Sequence, residues 1–147
     1  MRVYLDNCTF NRPFDNQSSI RIRIETEAKL YVQEKIKAGH LELIWSYILD
    51  FENEQNPFDE RKISIAGWKK FASADIEETE SLLNQARTSA SLGLKAKDAL
   101  HIASAIAANA RYFLTTDDKV LNKTSKLNDI IIISPTDFIK ELESYDK

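Results

Sequence analysis

Apolar residues along the chain fall in short runs separated by stretches of helical spacing, and that alternation predicts strands and helices in turn. Val3-Tyr4-Leu5 is a β-leaning run that ends at Asp6 and Asn7, both suited to leaving a strand. The segment from Cys8 to Ser19 holds Asn11, Pro13, Asp15 and Asn16, so it reads as a loop. Ser18 or Ser19 then caps a helix whose stripe Ile20, Ile24, Ala28 and Tyr31 runs on to a stop at Gly39. Leu41 to Ser46 is short and starts with alternation, which predicts a second strand, and Ser46 can cap the helix carrying Tyr47, Ile48, Leu49, Phe51 and Glu52. After the break at Asn53, Asn56 and Pro57, a helix is expected over Asp59 to Ala72, with Ile63, Ile65, Trp68 and Phe71 as its apolar members. Ala74 or Asp75 starts the next one, striped by Ile76, Thr79, Leu82, Leu83 and Ala86 and ended by Gly93.

The stretch from Leu94 to Leu121 organises the rest. Ala99, Ile102, Ala103, Ile106 and Ala110 share one helical face, and so many alanines imply close approach to a flat surface such as a sheet. A turn at Asn109 to Arg111 leads to Tyr112-Phe113-Leu114, a run too short for a helix and apolar enough for a buried strand. Asp98 opens this unit and Asp117 closes it. Lys126 to Asn128 is read as a turn, Ile130 to Ile133 as a strand, and Pro135 as the start of a last helix through Phe138, Ile139 and Leu142. Short strands separated by helices predict an α/β fold of three layers, with a central parallel sheet of about four to five strands and right-handed crossovers.

Composition narrows the picture. With 147 residues, 43% hydrophobic and 29% charged, the chain suits a single domain over residues 1–147. No leader and no apolar run near the roughly 20 residues of a membrane span is seen, so a cytoplasmic protein is expected. The one cysteine, Cys8, cannot form an internal disulfide, and two histidines supply a zinc site poorly. Any metal would take oxygen ligands. The net charge of −3 counts against nucleic-acid binding by bulk attraction, although arginines and lysines crowd the first 40 residues.

Candidate chemistry comes from four acids. In a parallel sheet the strand carboxyl ends and the following helix starts share one edge. Asp6 leaves the first strand, Glu52 is expected early in the helix after the second, Asp98 is in the first turn of its helix and Asp117 leaves a later strand. Each acid alone is ordinary punctuation. Four converging carboxylates without cationic partners would repel unless protonated or metal-bound, and hard oxygen donors select Mg2+ or Mn2+.

At these residues the sequence resembles the PIN-domain nucleases, including the VapC-like toxin ribonucleases. The segments that carry the resemblance are VYLDN with Asp6, SYILDFEN with Ser46 and Glu52, KDALHIASA with Asp98, and FLTTD with Thr115 and Asp117. It implies a PIN-like fold and an endonuclease for single-stranded RNA that uses Mg2+ or Mn2+ held by Asp6, Glu52, Asp98 and Asp117, with Asn7 and Thr115 in support. It also implies a toxin with an antitoxin protein as partner, and a homodimer. The chain departs from that pattern at Cys8, where such toxins carry Asn or Ser, at Asp118 directly after Asp117, and in a longer segment after the first strand.

Other residues are weighed beside these. Arg12, Arg21 and Arg23 are candidates for holding substrate phosphates. His101, one turn from Asp98, is read as packed or hydrogen-bonded rather than as a base, Asp50 and Asp118 as solvated acids, Trp45 and Trp68 as core or dimer interface, and Cys8 as a small buried hydrophobe. The alternative from another class is a non-catalytic PIN-like RNA-binding or scaffolding domain. A phosphatase would want an acid at position 8, and a phospho-accepting receiver would want a lysine ending the Ile130 to Ser134 run.

Overall fold

A computed structural model describes residues 1–123, 127 and 129–145. Five strands form one sheet: β1 (Arg2–Leu5), β2 (Glu42–Ser46), β3 (Ala72–Ile76), β4 (Tyr112–Leu114) and β5 (Ile131–Ile133). All pairings are parallel and the order is β3-β2-β1-β4-β5. Helices α1 (Asn7–Asn11), α2 (Ile20–Lys37), α3 (Tyr47–Glu54), α4 (Asp59–Ala66), α5 (Glu80–Ala90), α6 (Ala96–Ala107), α7 (Asp118–Lys123) and α8 (Pro135–Tyr145) flank it in a three-layer α/β arrangement of PIN-like type. The central strand β1 is buried on both faces, and Val3, Tyr4 and Leu5 pair in register with Tyr112, Phe113 and Leu114 on one side. That explains its lack of a polar face.

Four of the strands lie at or within a residue of their predicted places. The fifth, β3, falls where a helix start was expected at Ala74 or Asp75. Its small residues alternate between half-buried and exposed, as on a sheet edge, and β2 supplies the ladder. The helix that follows begins only after Thr79, whose hydroxyl accepts from the Leu82 amide at 3.1 Å. Thr79 is thus a cap and not part of the stripe. The helix expected through Ala72 ends at Ala66 and tightens into a 3-10 turn at Gly67–Phe71, where glycine gives the weakest helical propensity.

Cys8 to Ser19 is not a plain loop. It holds α1 and a 3-10 turn over Arg12–Phe14 because Asp6 caps the chain as it leaves β1. In α2 only the first half of the expected stripe faces outward: Ile20 is 66% and Ile24 50% exposed, whereas Ala28 is buried and Tyr31 packs on the core, beside the buried Glu25, Lys29, Val32, Gln33 and Ile36. The alanine face of α6 divides. Ala99 and Ala103 pack with Leu82 and Ala86 of α5, whereas Ile102 and Ala105 join the main core around the sheet. Ala110 lies beyond the helix end, after Asn109 turns the chain at a left-handed φ of 56°. The turn expected over Lys126 to Asn128 falls where only Leu127 is described.

Candidate active site

The sheet order reverses beside β1, and the crevice between the carboxyl ends of β1 and β4 is where such folds place ligands. Asp6 stands at the end of β1. Its Oδ1 accepts from the Thr9 amide and from the Thr9 hydroxyl, both at 3.0 Å, which is the reach of an N-cap to its third following residue. Thr115, at the end of β4, accepts the Asp117 amide on its hydroxyl at 3.1 Å, and the same hydroxyl favours the charged form of Asp6. One buried threonine therefore lies between Asp6 and Asp117 at the switch point. Burial raises the Asp6 carboxyl above its ordinary range, opposed by Thr115, Thr9 and the nearby His101.

Glu52 reaches the same edge from α3. It is held by a buried chain of contacts: the Ser46 hydroxyl meets the Tyr4 hydroxyl at 2.6 Å, Tyr4 meets His101 Nδ1 at 2.5 Å, and His101 Nε2 meets Glu52 Oε1. The chain joins β2, β1, α6 and α3, and His101 is accordingly a hydrogen-bonded orienting group. Glu52 Oε2 is left for another partner. Asp98, in the first turn of α6, is half-buried, and its carboxyl is raised first by desolvation, then by the charge of Asp117 and, more weakly, of Glu52, with His101 and Lys95 opposing.

Cys8 stands among the same acids. It is exposed, not the buried hydrophobe expected, because α1 turns it away from the core. Desolvation near its sulfur and then the charges of Asp6, Asp117, Glu52 and Asp98 push its thiol up, so all four acids are felt there. Their donor set is hard oxygen with mutual repulsion, which suits a divalent cation. Among the described residues, however, no three His, Cys, Asp or Glu side chains stand close enough to form a ready ligand cluster.

The arginines divide between two faces. Arg12 and Arg21 line a groove with Thr116, Asp117 and Asp118, but each is already paired. Arg12 binds Glu25 at 2.9 Å and Asp15 at 3.1 Å; Arg21 binds Asp118 at 2.7 Å. Arg23 lines a different groove, between α2 and α8, with Ile20, Ile24 and Ile139. Asp118 is therefore a paired acid, and Asp50 likewise accepts from Trp45 Nε1 at 2.9 Å and Lys69 at 3.0 Å. Trp45 is fully buried against Phe10, and Trp68 packs on Phe71 at the core margin. Asn7 lines a pocket beside Glu52, and its Oδ1 is buried with no hydrogen-bond partner among the described residues. Sequence reasoning missed Thr9, whose spacing from Asp6 is that of a cap, and Tyr4, for which no local signal exists because its partners are 42 and 97 residues away.

With this geometry in hand, the known proteins can be set beside it. No known-family profile and no curated protein matches the sequence. The fold has a solved counterpart. A chain of the crystal structure of VapBC2 from Rickettsia felis bound to a DNA fragment from their promoter matches at a TM-score of 0.54 and 16% identity, over 90% of this chain and 97% of that one. At that identity the likeness is one of fold. Among the described residues no helix is long and apolar enough to cross a membrane.

Proposed function

We propose that the protein is a Mg2+- or Mn2+-dependent endoribonuclease that cleaves single-stranded RNA in the cytoplasm, as the toxin of a toxin-antitoxin pair. This reading is supported by the places of Asp6, Glu52, Asp98 and Asp117 around the carboxyl ends of β1 and β4, near enough that the charges of Asp117 and Glu52 raise Asp98 and those of all four reach Cys8. The resemblance of the four acid-bearing segments to PIN-domain nucleases supports it, as does the fold shared with a chain of a VapBC toxin-antitoxin complex. An antitoxin protein and a second copy of the chain are the partners this reading implies.

A divalent ion held by these carboxylates supplies Lewis acidity toward the scissile phosphate. The residues do the rest. Thr9 holds Asp6, Thr115 favours its charged form, and His101 aims Glu52. In the reaction water's oxygen joins phosphorus while the bond from phosphorus to one ribose oxygen breaks. The proton that water gives up balances the one the departing oxygen takes.

A second reading is a non-catalytic RNA-binding or scaffolding domain on the same fold, favoured by the lack of a ready ligand cluster among the described residues. The two are separated by cleavage of single-stranded RNA in Mn2+. Asp98→Asn is expected to lower cleavage by at least a hundredfold while circular dichroism is unchanged, since one ligand charge is lost without volume. Undiminished cleavage by that variant sinks the site assignment; binding of RNA without cleavage by the unaltered protein supports the second reading.

A further inference from the structure

The pocket between the first turn of α1, the end of α3 and the start of α4 has no part in holding the four acids together. It measures about 330 Å³ and is lined by Asn7, Glu52, Asn56, Phe58, Arg61 and Lys97, among others. Glu52 makes it continuous with the acidic edge, and Lys97 directly precedes Asp98.

Three features of this pocket ask for a ligand. Phe58 is 56% exposed, which leaves part of a large aromatic face open to a ligand. The guanidinium of Arg61 lies 4.6 Å from that ring's centroid and is anchored by the Phe14 carbonyl at 2.6 Å and Asp15 at 3.3 Å, so ring and fork form a preset stacking surface. Asn7 gives the pocket a polar amide wall. Charge adds a fourth consideration. Arg12 and Arg21 are paired with carboxylates, whereas Lys97 is exposed and, among the described residues, meets Gln55 at 3.5 Å and the Phe51 ring at 5.7 Å with no carboxylate partner.

We infer that this pocket is a nucleotide subsite: the base of an unpaired nucleotide flanking the scissile phosphate stacks on Phe58 and Arg61 beside the Asn7 amide, and has its phosphate held by Lys97. The inference rests on the ribonuclease reading and deepens it. A duplex cannot present a base in this way, so the pocket selects single strands.

The test uses the full chain and single-stranded RNA oligonucleotides, with binding followed by fluorescence anisotropy in the cleavage-impaired Asp98→Asn protein and kcat/KM measured in otherwise unaltered protein. Phe58→Leu keeps an apolar side chain and removes the aromatic face. It is expected to weaken binding and kcat/KM about tenfold, and Phe58→Trp is expected to restore both, because stacking rather than burial is lost. Lys97→Ala is expected to reduce the slope of log Kd against log salt by about 0.7, the loss of one single-strand phosphate contact. If the unaltered protein cleaves RNA but Phe58→Leu and Lys97→Ala match it, the subsite is wrong and the ribonuclease reading stands. If the unaltered protein neither binds nor cleaves single-stranded RNA, both fall. A change of oligomeric state in Phe58→Leu with RNA affinity unchanged would assign this face to a protein contact and overturn the proposal.

Discussion

Tyr4 shows how much a single side chain can carry in this protein. Its ring stacks on Phe113 at 5.2 Å between centroids, and its hydroxyl touches both Ser46 and His101 in the interior. A buried polar group left without its partner costs about 1–3 kcal/mol, so Tyr4→Phe is expected to lower the unfolding free energy by roughly that amount while keeping the ring stack. Because His101 would then lose the contact that orients its far nitrogen toward Glu52, kcat should fall with little change in RNA affinity. Urea unfolding and steady-state kinetics check the two halves; unchanged stability would mean that the hydroxyl is satisfied in some other way. Thr115 is the counterpart on the other side of β1, and it acts by position, since its one hydroxyl receives the Asp117 amide and favours the charged form of Asp6.

At the scale of elements α2 is the instructive case. Lys29 lies on its inner face, 4% exposed, with the Phe10 and Trp68 rings 5.5 and 6.0 Å from its ammonium nitrogen. Desolvation lowers it to about 7. The folded value is below the unfolded value of about 10.4, so between those values the unfolded chain binds more protons and stability rises with pH. The penalty is fully present below pH 7 and fades by about pH 10. Lys29→Met is expected to raise the urea midpoint at pH 7 and to flatten that rise; an unchanged pH dependence would show that Lys29 is not its source. The same helix explains why parts of the fold were not legible. Its sequence shows an apolar stripe at Ile20 and Ile24, yet Glu25, Lys29 and Gln33 go inside because the facing surface offers Arg12 and aromatic rings, information that no periodicity contains. Short apolar runs such as Val3 to Leu5 could be read because a strand buried on both faces has only one pattern. β3 could not, since its alternation is of small residues and its stability comes from β2. Asp6, Asp98 and Asp117 stand at a strand end, a helix start and a strand exit as the sequence pattern implies, but Glu52 falls late in α3, and its link to His101 spans 49 positions.

For the whole molecule the acidic edge is a stability liability. Asp6 and Asp98 both have raised pKa values, so the stability they allow is fully present below the ordinary carboxylate range near 3.9 and is lost as pH rises through their raised values. At neutral pH the metal-free protein bears that cost. Asp98→Asn is therefore expected to melt higher than the unaltered protein without metal, and Mn2+ to raise the melting temperature of the unaltered protein by several degrees but that of the variant much less. A variant that melts lower in metal-free buffer would contradict the assigned origin of the strain. The strand order has a bearing on synthesis as well. β1, β2 and β3 leave the ribosome first and can pair with one another, but the other side of β1 stays open until β4 follows, and Asp117 comes behind β4. A chain still being made can own Asp6 and Glu52 and yet have no complete quartet. The last strand to reach β1 thus acts as a timer: whatever the four acids do together waits until Asp117 has been made and β4 has docked.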